Sequence, residues 1–198
     1  MADELEVKAV VANPVETRTR LRAAGGQEGF RGMMRDRRYD QEGRLTGQDQ
    51  VLRIRTYQPA AGTVHVMIGW KGPVRRSPEG YKLRQEIEYS TADGEPAAQF
   101  LEALGFRVVQ AIDRYVEVFS LRGASARLEW YPRMDVLMEI EGPALAIETA
   151  IAASGIGRQE FLADPLAVFV QRFEARTGQP AVLAESDLAG AAPSWNRS

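Results

Sequence analysis

The sequence predicts an α+β fold in which antiparallel strands curl into a barrel, with helices packed outside and charge lining the lumen. Three observations predict it. Period-two alternation of apolar and polar residues, the mark of a strand with two unlike faces, recurs along most of the chain. The polar positions are almost all Glu, Arg or Lys, with few of the Thr, Ser and Gln of an ordinary wet face. Four helical patterns are available to cover the apolar faces. A sheet covered outside by helices and charged inside closes on a polar tunnel.

Strands are expected at residues 4–11, 51–57, 63–70, 83–89, 115–121, 126–131 and 136–141, with a weaker one around 35–39. Helices are expected at 14–24, 95–104, 143–153 and 158–177. The first has Asn13 as N-cap, Pro14 at its first position and Gly25-Gly26 as its stop. Gly105 and Gly155 end the second and third, and Pro165 is expected to split the fourth into a turn and a longer helix. Residues 40–47, 59–62, 72–80 and 92–94 read as loops. From Ala184 the composition turns to Ala, Gly, Ser and Pro, so residues 1–183 are expected to form one domain and 184–198 a flexible tail. Glu4 to Val7 followed by Pro14 matches Glu86 to Tyr89 followed by Pro96, a weak internal repeat that leaves chance and duplication both open.

Composition bounds the chemistry. The 198 residues are 44% hydrophobic and 26% charged, enough for one domain with a core. The 25 Lys and Arg against 27 Asp and Glu give a net charge of −2, so no global basic field points to nucleic acid or an anionic membrane. The absence of cysteine excludes disulfides, thiolate zinc sites and a cysteine nucleophile. His65 is the one histidine, so a multi-histidine metal site is excluded too. Any metal should be a hard cation held by carboxylates. With an acidic N-terminus and no run of roughly 20 apolar residues, the chain is expected to be cytoplasmic.

Side chains at i, i+2 and i+4 of a strand share a face. Glu4, Glu6 and Lys8 therefore project together, with Leu5 and Val7 opposite. Arg53 and Arg55 share a face, as do Arg84, Glu86 and Glu88, Arg127 and Glu129, and Glu139 and Glu141; His65 and Lys71 fall on one face of their strand. Any one such face could simply meet water. Together they suit a ligand carrying both signs: Arg and Lys fit phosphate oxygens, and glutamates beside them fit a divalent cation between the two. His65 reads as a structural or surface histidine. The basic stretch Arg31, Arg35, Arg37 and Arg38 reads as a solvated strand or tunnel rim, because no aromatic platform lies beside it. Trp70, Trp130 and Tyr131 read as core or wall.

The same residues resemble a known family. Glu4-Leu5-Glu6-Val7-Lys8 matches the ExExK motif of the CYTH superfamily, the triphosphate tunnel metalloenzymes. Arg38-Tyr39-Asp40, Leu52-Arg53-Ile54-Arg55, Lys71-Gly72-Pro73, Arg84-Gln85-Glu86-Ile87-Glu88, Leu104-Gly105-Phe106 and Glu139-Ile140-Glu141 follow in the family's order. The resemblance covers residues 3 to 142 and is closest to the branch of class IV adenylyl cyclases and thiamine triphosphatases.

The resemblance implies an antiparallel tunnel, a triphosphate substrate and magnesium or manganese as cofactor. Carried over by residue, it implies Lys8, Arg53, Arg55, Lys71, Arg84 and Arg114 as triphosphate contacts, with Lys8, Arg53, Arg55 and Lys71 also catalytic. It implies Glu4, Glu6, Glu139 and Glu141 as metal ligands, supported by Glu86, Glu88 and Glu129. It implies a small-molecule partner, no nucleic acid and no membrane, and leaves a homodimer open. The chain departs from the family at Val116, where a second basic residue is usual, at Glu129 in place of an aspartate, and at the Pro132-Arg133-Met134-Asp135 turn; a leading His-Phe is also missing. Three functions follow. The favoured one is a metal-dependent hydrolase of inorganic or organic triphosphate. The others are a class IV adenylyl cyclase making cyclic AMP and pyrophosphate from ATP, and a non-catalytic polyphosphate or nucleotide sensor.

Overall fold

The computed structural model describes residues 3–76 and 82–197, apart from the side chains of residues 3, 4, 82 and 197. The alternating segments form β1 (Asp3–Val10), β2 (Gln27–Asp40), β3 (Val51–Pro59), β4 (His65–Lys71), β5 (Arg75–Arg76), β6 (Lys82–Thr91), β7 (Arg107–Leu121), β8 (Ala124–Trp130) and β9 (Leu137–Glu141). Strand order is β1-β9-β8-β7-β2-β3-β4-β6, and β6 pairs back onto β1, so eight antiparallel strands close a ring. The two-residue β5 hangs on β6 outside that ring. Closure leaves these strands no long free edge.

β2 and β7 are longer than alternation predicts. β2 starts at Gln27, and its pairing with β7 shifts register at Glu28/Arg31 and at Arg38/Tyr39. These irregularities break the period-two pattern that a strand needs to be read from sequence. Gly32 allows the pinch between β2 and β3: a Cβ there would stand 2.3 Å from the Gln58 carbonyl oxygen. Part of the loop expected at 72–80 lies outside the described residues.

The helices are α1 (Pro14–Ala23), α2 (Glu95–Ala103), α3 (Ala144–Ser154) and α4 (Leu166–Thr177). Asn13 caps α1 by accepting a hydrogen bond from the Glu16 amide at 3.1 Å. The turn at Arg158–Glu160 ends at Phe161, which is already extended, and Pro165 stands at the N-cap of α4, where its missing N–H costs nothing. α1 and α3 cover the outer faces of β1, β9, β8 and β7, where Val7, Leu21, Phe119, Leu128, Ile140 and Ile147 are buried together. Each such side chain contributes about 1.5–3 kcal/mol on leaving water. α2 covers Ile54 and Val66 through Leu101. α4 instead closes one end of the ring, with Phe169 and Phe173 against Ile112, Tyr131, Met134 and Leu137. No helix among the described residues is long and apolar enough to cross a membrane.

The segment from Ala184, expected to fray, is laid against the barrel. Ala184 and Leu188 are buried, the Glu185 amide donates to Asp113 Oδ2 at 2.9 Å, and Ser194 Oγ donates to the Tyr131 carbonyl at 2.6 Å. Composition missed this because a few apolar anchors and backbone partners are enough to hold a polar strip.

Two successive units share one order of elements: β1-α1-β2-β3-β4 and β6-α2-β7-β8-β9. Exchanging the units leaves every neighbour relation in the ring unchanged.

Candidate functional site

Antiparallel pairing places directly opposed residues on the same side of the sheet. Asp36 stands opposite Arg55, Arg38 opposite Arg53, Val51 opposite Lys71, Lys71 opposite Glu86, and Lys8 opposite Glu139. All of these fall on the inner face of the ring. The result is a cavity of about 400 Å³ lined by Glu6, Lys8, Asp36, Arg38, Arg53, Arg55, Lys71, Arg84, Arg114, Arg127, Tyr131 and Glu139. Ala163, Pro165, Leu166, Ala167 and Leu183 form an apolar wall at the end closed by α4.

The buried charges are paired in a connected network. Asp36, 1% exposed, accepts a fork from Arg55, Nε at 2.6 Å and Nη2 at 3.0 Å, and also pairs with Arg114 Nη2. Burial alone would raise the Asp36 pKa, but Arg55, Arg114 and Arg53 outweigh it and hold this carboxyl well below its ordinary value. Arg114 Nη1 donates to Glu129 Oε1 at 2.9 Å, and the Tyr131 hydroxyl donates to Glu129 Oε2 at 2.7 Å. Glu129 is likewise lowered: Arg114, Arg127 and Lys8 overcome its burial. Burial and the Glu129 charge push the Tyr131 phenol up, so it stays protonated.

At the acidic side, Lys8 Nζ lies 2.7 Å from Glu6 Oε1 and also contacts Glu139. Arg127 Nη2 contacts Glu139 and lies 2.8 Å from Glu141 Oε2. Lys71 pairs with Glu86, and Arg53 Nη2 donates to Glu88 Oε1 at 3.0 Å.

Pairing does not use up the cations. Among the described residues, the buried Nε atoms of Arg38, Arg53, Arg114 and Arg127 have no hydrogen-bond acceptor. An unmade buried donor costs about 1–3 kcal/mol. Burial and the neighbouring guanidiniums also lower Arg38 to about 10, against the pull of Asp36. Burial and Arg55 lower Arg53 too. The wall is crowded with positive charge and equipped to receive an anion.

The structure places Lys8, Arg53, Arg55, Lys71, Arg84, Arg114, Glu6 and Glu139 around one cavity; Glu86, Glu88 and Glu129 pair with Lys71, Arg53 and Arg114, and Glu141 with Arg127. The Glu4 side chain lies outside the described residues. Arg84 differs in what its N–H groups do: Nε donates to the Gly72 carbonyl at 2.5 Å, and Nη2 reaches the Asp49 carbonyl and carboxylate. It ties two loops together at the cavity edge. Asp40 is a loop organiser as well; its hydrogen bonds to Thr46, Leu45 and Gln41 pull it down to about 2. His65 is exposed at the edge of β4, its ring 6.2 Å from that of Tyr57. Of the basic stretch, Arg31 and Arg37 turn outward to Glu117 and Asp113, and Arg38 turns in.

Sequence reasoning missed Asp36 and the wall built by α4, and put Arg127 on a shared face with Glu129 without a site role; Tyr131, read as core or wall, lines the cavity. Asp36 and Arg38 alternate in step with the lumen faces, so continuing the period-two reading back along β2 is the signal that finds them.

Among the described residues, no three acidic side chains converge on a single point able to hold a metal ion. Instead Lys8 and Arg127 stand between the carboxylates. The donor set is nevertheless all carboxylate oxygen, which fits a hard divalent cation.

The structure is similar to that of PH1819 from Pyrococcus horikoshii, with 23% identity, a TM-score of 0.69, and coverage of 85% of this chain and 98% of the other. A protein from Vibrio parahaemolyticus described as a candidate adenylate cyclase has 18% identity and a TM-score of 0.69, covering 85% of this chain and 97% of that one. HpAC1 from Hippeastrum, described as a candidate adenylyl cyclase with a dominant triphosphatase activity, has 17% identity and a TM-score of 0.60 over 93% of this chain and 99% of its own. At these identities the likeness concerns fold. No curated protein is similar enough in sequence to count as a relative. The sequence model of the CYTH domain matches residues 2–142, from the first acidic strand of the ring to the turn after its last, and the chain therefore belongs to the CYTH family.

Proposed function

We propose that the tunnel binds a triphosphate chain and hydrolyses its terminal phosphoanhydride with a divalent cation. The observation that carries this reading is the set of four buried guanidinium Nε donors without acceptors, in a wall where mutual repulsion and burial already depress two arginines. A chain of phosphates supplies acceptors at several points, where a single small anion could not reach them all.

In this reading Arg53, Arg55, Lys71 and Arg38 hold the phosphate oxygens and neutralise charge that builds in the transition state. Asp36 fixes the guanidiniums of Arg55 and Arg114, so that little reorganisation is needed when substrate arrives. Glu6, Glu139 and Glu141, with Glu4, would hold magnesium or manganese. The bound cation would neutralise phosphate charge and lower the pKa of its water. Water then attacks the terminal phosphorus, the bridging P–O bond breaks, and orthophosphate and the shortened phosphate leave. Glu129 and Tyr131 stay locked to one another and keep Arg114 in place.

Cyclisation of ATP would require a pocket that fixes the base. Tyr131 is the one aromatic side chain lining the described cavity, and its hydroxyl is engaged by Glu129. Hydrolysis is the lighter demand on this geometry. The test is a product assay on tripolyphosphate and on ATP, each with magnesium or manganese. Orthophosphate release is the expected result. Cyclic AMP plus pyrophosphate from ATP, without orthophosphate from either substrate, would move the assignment to the cyclase. Tight binding with no product at all would make the protein a sensor.

A further inference from the structure

Arg127 supplies one of the four Nε donors on which the tunnel reading rests, and that reading leaves its ion pairs to the acidic strand without a task. It projects from β8, opposite Val118 on one side and Glu139 on the other. Val116, where a second basic residue of β7 would stand, is fully buried and apolar, and lies diagonally across from it. Arg127 Nη2 contacts Glu139 and lies 2.8 Å from Glu141 Oε2. Its Nε lies 3.9 Å from Glu129 Oε1, beyond hydrogen-bond range, and has no acceptor among the described residues. Burial disfavours its charge, but Glu141 and Glu129 more than offset that and keep it protonated. Arg127 is thus a permanent cation spanning two of the carboxylates that a divalent ion would need, with one buried donor that has no acceptor among the described residues.

We infer that Arg127 is a resident counter-ion. It neutralises Glu139 and Glu141 in the substrate-free protein, and it transfers its guanidinium to the triphosphate when those carboxylates take a divalent cation. The inference rests on the triphosphate reading above. Two costs drive the exchange. A divalent ion that takes Glu139 and Glu141 alone leaves the buried guanidinium only Glu129, 3.9 Å away. Triphosphate that draws Arg127 alone takes one cation from Glu141 and leaves Glu139 with only Lys8 of its two cations among the described residues. Each ligand therefore favours the other, and each alone is opposed by the ion pair. Arg127 also supplies, from the neighbouring strand, the positive charge that Val116 does not.

The experiment measures each ligand separately on wild type, Arg127→Gln and Arg127→Lys. Manganese binding to substrate-free protein is read from the free-ion electron paramagnetic resonance signal. Tripolyphosphate binding is read by titration calorimetry in the presence of a chelator. Arg127→Gln is expected to bind manganese about tenfold more tightly and tripolyphosphate about tenfold more weakly, the size of one charge-assisted contact. Arg127→Lys should lie between it and wild type on both scales. Opposite shifts cannot come from a loosened fold, which would weaken both. Parallel shifts, or unchanged manganese affinity in folded Arg127→Gln, would overturn the inference. Should Arg127→Gln melt early, Arg127→Lys decides by the same rule, opposed shifts supporting the inference and parallel or absent shifts overturning it. Wild-type protein that leaves tripolyphosphate unbound would instead sink the triphosphate reading itself, and that result is read before any variant is made.

Discussion

The two units of the barrel share a backbone plan and differ in the charge of their lumen faces. The first unit contributes Lys8, Arg38, Arg53, Arg55 and Lys71 against Glu6 and Asp36. The second contributes Arg84, Arg114 and Arg127 against Glu86, Glu88, Glu129, Glu139 and Glu141. Ion pairs cross between them: Lys8 to Glu139, Lys71 to Glu86, Arg53 to Glu88, and Arg114 to Asp36. One plan used twice has produced a base-rich wall and an acid-rich wall that neutralise each other when the tunnel holds no ligand. A ligand carrying both signs, a metal bound to a polyphosphate, would exchange those pairs one for one.

The largest expected effect comes from breaking the point where the walls meet. Asp36→Asn leaves Arg55 and Arg114 without their shared carboxylate, and loss of one partner of a buried pair costs about 3–5 kcal/mol. Urea denaturation checks this, and a midpoint like that of wild type would mean that the two arginines do not depend on Asp36. The same variant tests a pH effect. Asp36 and Glu129 are both held below their ordinary values of 3.8 and 4.5. As pH falls, the unfolded chain therefore takes up protons first. The stability these carboxylates contribute is complete above the ordinary values and drains away as pH drops through the folded ones. Asp36→Asn should flatten that acid limb.

Next in size is the base-rich wall itself. Arg53→Gln removes a buried donor aimed at phosphate, and turnover of tripolyphosphate should fall by about 10²–10³, the usual loss for one preorganised transition-state donor. Undiminished turnover would show that this wall does not hold the substrate. Glu139→Gln strikes the acid-rich wall and should raise the manganese concentration for half-maximal activity by about tenfold or more. A shift in tripolyphosphate KM with no change in metal requirement would assign Glu139 to the wrong wall. The smallest effect sharpens the boundary. Glu88 is about a third exposed and competes with phosphate for Arg53, so Glu88→Gln should tighten tripolyphosphate binding, by at most about fivefold, as expected for a partly solvated pair. Weaker binding would mean that Glu88 aids the phosphate rather than competing with it.

The lumen was legible where strands alternate without interruption. Glu6 and Lys8, Arg53 and Arg55, and Glu139 and Glu141 each announce a shared face by spacing alone, and the family resemblance then orders them. Legibility fails where charge crowds both faces of a strand. Asp36 lies in the regularly paired part of β2, between its register shifts, but within a run that reads as a solvated arginine strip. It fails again for contacts made by loops: spacing aligns Arg84 with Glu86 and Glu88, yet its guanidinium is held by carbonyls at Gly72 and Asp49. α4 was visible as a helix split by Pro165, but nothing in its amphipathic pattern tells whether Phe169 and Phe173 lie along the barrel or across its mouth. Docking is a long-range property, and local periodicity does not carry it.

The ring closes by joining its first strand to its last. Among the described residues β1 pairs with β6, which starts at Lys82, and with β9, which starts at Leu137, and Lys8 also bridges to Leu162. While the chain is being synthesised, β1 emerges first and waits for both partners, exposing its backbone on two sides. Pairings this distant in sequence come late and slowly, because the intervening chain must lose its freedom before they form. A ribosome that stops before residue 137 releases a sheet with an open seam, and the carboxylates of β9 are missing with it. Assembly of the acid-rich wall and closure of the barrel are one event, so a truncated product has an unpaired β1 edge for proteases or neighbouring chains to find rather than a weakened tunnel.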